Sequence, residues 1–434
     1  MSTITSPGAA RPTPPPASMP DLSRRDLVVD LARVCCVLLV VVIHVVMVGV
    51  GFADDGSLVV TRPAQEQSWF PLVTWAGQVM PLFFVVGGFA SATAWASTRR
   101  RGGDAGDYIR GRLLRLARPA SAVFVVLALA LVVARAIGVD PGLLDAVAIG
   151  VGSPLWFVAA YGITQVCVPV MARLHATRPL ATFAGLAIGA VLVDAVRYAT
   201  GVTEVGLVNL LFVWLFVQQL GFAYASGWFR RPPRLVLVLV AALAYASLVP
   251  LTSIGPWPTD QLAGLNPPTV PLIVLGIAQI CVLTLVHPLL SRLMETRGAR
   301  AFVFVVGSRG MTVYLWHVPL LVALIGVMLL VGAPLPAPAS STWWWTRIPV
   351  TVVVLALVGL VSLGAARLER PPRTDAPGRR RPSGGVIAVA AVLVIGPSFA
   401  VMQHGLDVVN AIAGAVGMLA AIWLLGRSRP TRSV

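Results

Sequence analysis

The feature that most constrains this chain is a run of about twenty apolar residues, repeated about twelve times. That is the length of an α-helix crossing the hydrocarbon core of a bilayer. The runs fall near 27–50, 69–97, 119–139, 153–174, 180–200, 206–226, 235–253, 269–291, 304–332, 347–366, 385–403 and 407–425. They show no strict alternation of apolar and polar residues, so they do not read as β-barrel strands. Hydrophobic residues make up 57% of the chain and charged residues 12%, about half the charged share of an ordinary soluble domain. The expected fold is all-α and polytopic, with about twelve transmembrane helices in a lipid bilayer.

The net charge of +16 suggests nucleic acid, but the distribution of charge argues otherwise. Every basic residue is arginine, and the arginines cluster in alternate connections. Arg24 and Arg25 precede the first run. Further clusters follow the second run ("RRRGGDAGDYIRGRLLRLARP"), the sixth ("RRPPR") and the tenth ("RLERPPRTDAPGRRRP"). The intervening connections are arginine-poor, which predicts cytoplasmic termini and no nucleic-acid partner. Residues 1–24 are rich in Pro, Ser and Ala and read as a disordered cytoplasmic tail without the apolar core of a cleaved signal peptide. Residues 371–384 form a Pro/Arg linker, 385–426 a final pair of spans, and 427–434 a basic cytoplasmic tail. Cys35, Cys36, Cys167 and Cys281 all lie in apolar runs without zinc spacing and read as small core residues.

Ionisable residues inside a span are costly and mark candidate sites. The first run carries several. Relative to Asp26, a 100° turn per residue puts Asp30 at about +40°, Arg33 at about −20° and His44 at about 0°. These four polar groups therefore share one stripe that must face protein or water. Arg33 and His44 lie about 16 Å apart along the axis, with Arg33 near the cytoplasmic edge and His44 deeper. A neutral imidazole there can take a proton from a hydroxyl. The alternative is that Arg33 snorkels and pairs with Asp30 while His44 is a hydrogen-bonded packing residue.

Other stretches carry weaker signals. Gly87 and Gly88 in "PLFFVVGGFA" permit close helix approach. Arg112, Arg115 and Arg118 recur every three residues in a cytoplasmic run, as a positive edge for phosphates or as ordinary loop charge. In "SPLWFVAAYGITQ", Trp156 and Tyr161 line a pocket or form an interfacial aromatic belt. "GMTVYLWHVPLL" holds a second intramembrane histidine, His317, one turn after Tyr314. His287 reads as interfacial and His404 as incidental. Gln78, Asn209, Gln218, Gln219 and Gln279 line a polar cavity or bond between helices.

Taken in order, these stretches resemble the acyltransferase 3 family of bacterial integral-membrane O-acyltransferases. "VDLARVCCVLLVVVIH" is similar to its first helix, with arginine and histidine separated by ten residues. "FFVVGGFA", "RLLRLARP", "SPLWFV" and "YLWHVPLL" resemble its later motifs, with Gly87 where the family usually has serine. The resemblance covers about residues 25–370 and implies a ten-helix acyltransferase core to which the last two spans are additional. It implies an acyl-CoA donor in the cytosol, acetyl-CoA by analogy, and no metal. It implies an acceptor hydroxyl on a cell-envelope glycan, a glycolipid or an exported small molecule, reached from a bacterial plasma membrane. His44 and Arg33 map onto the family's essential histidine and its paired arginine. Arg112 and Arg115, with Arg118 beside them, map onto the motif that meets the CoA phosphates. Asp30, Trp156, Tyr314 and His317 would support the pocket. Two rivals stand beside this reading. A proton-coupled exporter fits twelve spans and two intramembrane histidines, although no repeat of two halves is visible. A non-catalytic scaffold predicts that Arg33 and His44 are dispensable.

Overall fold

The computed structural model describes residues 26–52, 56–369 and 382–426. The N-terminal tail, most of the Pro/Arg linker and the C-terminal basic tail fall outside the described residues. Among those described, twelve helical segments are long and apolar enough to cross a membrane. The protein is an all-α, multi-pass membrane bundle.

The first span, α1 (Leu27–Met47), starts where Asp26 accepts hydrogen bonds from the backbone N–H groups of Val28 and Val29. This satisfies donors that a helix start leaves open. A short hairpin, β1 (Gly49–Phe52) paired antiparallel with β2 (Leu58–Thr61), follows where the sequence suggested only a loop. The second span is broken into α2 (Phe70–Gly77) and α3 (Met80–Arg100). At the break, Gln78 accepts from the Met80 N–H and donates to the Gln261 carbonyl.

The third span differs from the sequence reading. It begins at Ala105, not near 119, because Asp104 and Asp107 form a reciprocal capping box. The arginine run is therefore the first four turns of α4 (Ala105–Ala136), not a loop. The chain continues with α5 (Pro141–Gly152), α6 (Trp156–Thr177), α7 (Pro179–Thr200), α8 (Asn209–Ala225), α9 (Arg234–Ser253), α10 (Val270–Leu293) and the short α11 (Arg297–Gly307). Last come α12 (Gly310–Leu330), α13 (Ser341–Ala365), α14 (Gly384–His404) and α15 (Val408–Gly426).

The core is built around α8, in which nearly every side chain is buried. Helix α3 crosses it at close range, since a Cβ on Gly88 would overlap the Gln218 carbonyl and one on Gly221 would overlap the Val85 carbonyl. Small residues let backbones meet where lipid supplies no hydrophobic drive between helices. Phe84 then stacks on Trp214 with ring centres 4.3 Å apart. The amide side chains bond between elements and do not line an open cavity. Gln218 donates to the Thr164 carbonyl, Gln219 to Met171, Gln279 to Gln78, and Asn209 to Ala190 and Asp194.

The final pair is not a detached appendage. Helices α14 and α15 pack on α4 and α6. Arg110 Nε donates to the Leu425 carbonyl at 2.9 Å, and Gly414 lies so close to Phe124 that no Cβ fits between them. One reading of the cysteines is corrected: Cys35 sits on the outer face of α1 and is exposed, while Cys36 and Cys281 are buried.

Candidate active site

The N-terminal half of α1, the arginine run of α4 and the start of α12 surround a cleft of about 440 Å³. Arg33, Arg112 and Arg115 face it, with Tyr161 and Gln165 of α6, Tyr314 of α12 and Glu369 just beyond α13. A smaller recess of about 170 Å³, bounded by Ser97, Thr98, Tyr108, Arg112 and Arg115, shares two of these arginines. Arg112 and Arg115 therefore stand between two adjacent hollows.

Each arginine is held differently. Arg33 pairs with Asp30 one turn earlier, at 2.9 Å. Arg112 lies 5.1 Å from the centre of the Tyr108 ring and donates to the Ala90 carbonyl. The Tyr108 hydroxyl is fixed in turn by Gln165, which also exchanges hydrogen bonds with Ser91. This network fixes Arg112 at the cleft wall, where N–H donors beyond those it uses could meet an anion. Glu369 accepts from both the N–H and the hydroxyl of Thr312 at the start of α12. Burial pushes its carboxyl above the usual range, against the Thr312 bonds and the Arg309 charge, which pull it down.

The cleft ends on aromatic rings. Phe83, Phe157, Tyr161 and Tyr314 form its inner wall, with Phe157 and Tyr314 centred 4.7 Å apart. Behind Tyr314, the His317 ring follows at 5.8 Å and His44 lies 4.8 Å beyond it in an edge-on contact. Both imidazoles use Nδ1 against a backbone carbonyl, His44 to Val40 at 2.8 Å and His317 to Tyr314 at 2.6 Å. A carbonyl only accepts, so each Nδ1 carries the proton and each Nε2 presents a lone pair. His317 is buried and its Nε2 has no partner, whereas His44 keeps some accessible surface.

The residues singled out in the sequence separate into groups. Arg33, Arg112, Arg115 and Tyr314 meet in the cleft, and His44 and His317 meet behind it. Asp30 touches the cleft only through Arg33. Arg118 points elsewhere and does not line it. Trp156 is neither a belt residue nor a cleft residue. It is buried against Trp214 at 5.9 Å, supporting Phe157 from behind. Asp26 is not part of the α1 stripe, since it caps the helix and meets His287 and Arg230. Sequence reasoning missed Gln165, Tyr108 and Glu369. The lone acid within "RLERPPR" was a visible signal for the last of these, and none marked the other two.

Comparison with protein families gives one match that spans most of the chain. The family model described as an acyltransferase domain matches residues 26–363, which includes every residue of the cleft except Glu369 and stops before α14 and α15. Neither the curated proteins nor the solved structures give a match. With this match over most of its length and twelve membrane-spanning helices, the chain belongs to the acyltransferase 3 family and is a membrane acyltransferase.

Proposed function

We propose that the protein moves an acyl group, acetyl by family analogy, from acyl-CoA to a hydroxyl on a cell-envelope glycan, a glycolipid or an exported small molecule. In this reading the arginine-rich end faces the cytosol of a bacterium and the membrane is its plasma membrane. The donor's phosphates meet Arg112 and Arg115, and its pantetheine arm runs past Arg33 toward Tyr314. His44 Nε2 takes the proton of the acceptor hydroxyl as its oxygen attacks the thioester carbon. The C–S bond breaks, the proton passes to the departing sulfur, and the products are an ester and free CoA. The bonded Nδ1 fixes the His44 tautomer in the form that a general base requires. His317 packs its ring against His44 and holds its orientation.

The observation that carries this reading is the order of groups from the cleft inward: guanidiniums, aromatic wall, then imidazoles with a bare Nε2. The test uses purified protein in liposomes, radiolabelled acetyl-CoA, and a membrane extract as acceptor. His44→Ala is expected to lower transfer at least 100-fold, the size of a lost general base. Arg112→Leu is expected to raise the KM for donor roughly 10- to 100-fold, as for one lost charge-assisted contact of roughly 1.5–3 kcal/mol. Transfer at the wild-type rate by His44→Ala overturns the assignment.

A further inference from the structure

A second cavity, of about 530 Å³, lies at the end of the bundle away from the arginine cleft. Its walls come from the second half of α12, the loop at 334–337, the first half of α13 and Val50 of the β-hairpin. The size suits a small ligand or part of a larger one. Leu324, Ile325, Met328 and Val350 make most of the lining apolar.

One cation interrupts that lining. Arg347 stacks over the Trp343 ring at 4.4 Å, donates from Nε to the Trp343 carbonyl and donates from a terminal nitrogen to the Thr346 hydroxyl. A guanidinium has five N–H donors, so about three remain without a partner. No carboxylate among the described residues pairs with it. An arginine that only snorkelled would extend toward water. This one is folded back onto a buried tryptophan and held at the cavity wall. A half-buried cation in apolar surroundings calls for an anion.

The cavity and His317 share α12. His317 precedes Leu324 on α12 by seven residues, about 10 Å of helix. Val45, next to His44, packs in the same apolar cluster as Leu324, Ile325 and Val350.

We propose that this cavity is the acceptor site, and that it takes a lipid-linked acceptor whose single anionic group meets Arg347 while its apolar chain lies along Leu324, Ile325 and Val350. The assignment to acceptor rests on the transfer reading above; the anion site itself does not.

The test uses the full chain in neutral detergent, without acyl donor, and reads binding by native mass spectrometry. The probes are dodecyl phosphate, dodecanol and inorganic phosphate. Wild-type protein is expected to bind dodecyl phosphate at least tenfold more tightly than either of the others. Arg347→Gln is expected to remove that preference, and Arg347→Lys to keep part of it, since lysine supplies the charge without the fork. Val350→Trp, which fills the cavity and leaves Arg347 in place, is expected to weaken dodecyl phosphate binding as well. Equal binding of dodecyl phosphate by wild type and Arg347→Gln overturns the site, as does binding of dodecanol or inorganic phosphate as tight as that of dodecyl phosphate. With acetyl-CoA added, dodecyl phosphate is expected to inhibit transfer competitively with acceptor and not with donor. Saturating occupancy that leaves transfer untouched overturns the acceptor role. A negative result without donor leaves the reaction at His44 to its own test.

Discussion

Glu369 shows how much one side chain can shift a site. It lines the same cleft as Arg33, Arg112 and Arg115 and ties the end of α13 to the first turn of α12. Its carboxyl is raised by burial, so the folded protein holds that proton more tightly than the unfolded chain does. Stability from this group is then present below the ordinary glutamate range and is lost as pH rises through the folded value. The melting temperature of wild type should therefore fall relative to that of Glu369→Gln as pH is raised from about 4, the ordinary carboxylate value. A difference between the two proteins that stays flat with pH would remove the burial effect. The histidines act at the same scale by geometry alone: a backbone carbonyl on each Nδ1 leaves each Nε2 bare.

The helices explain what the sequence could and could not show. Spans were legible because their signal is local: about twenty apolar residues and arginines in alternate turns. The Arg33–Asp30 pair was legible because both lie on one helix, one turn apart. The start of α4 was misread because its first four turns carry enough arginine to look like a loop, and the capping box that begins the helix outweighs them. The Gln165–Tyr108–Ser91 network joins α6, α4 and α3 across separations of 57 and 74 residues, and no periodicity within one helix reports such a meeting. The glycine crossing of α3 and α8 was half legible, since Gly88 suggested close approach but its partner was hidden. Gly88→Ala should cost about 1–3 kcal/mol through overlap with the Gln218 backbone. Gly326→Ala, on the open face of α12, should instead stabilise by up to about 1 kcal/mol. Thermal unfolding in detergent reads both, and equal effects would place the α3–α8 contact further apart than described.

At the scale of the molecule, the family match ends before α14 and α15, yet these two helices complete the packing of α4. They cover the face of the helix that carries Arg112 and Arg115 on its other side. A chain ending before residue 384 should unfold at lower temperature, and residues 384–426 supplied as a separate segment should restore the wild-type value. No change on truncation would make the pair an accessory. The aromatic wall of Phe83, Phe157, Tyr161 and Tyr314 has a different consequence. On the transfer reading proposed above, a cleft open toward one face of the membrane and an imidazole toward the other would come close to short-circuiting the bilayer. The four rings would be the insulation between them in the resting protein. On that reading they would keep the idle enzyme from becoming a proton leak, so that the energy stored as a transmembrane gradient is not drained.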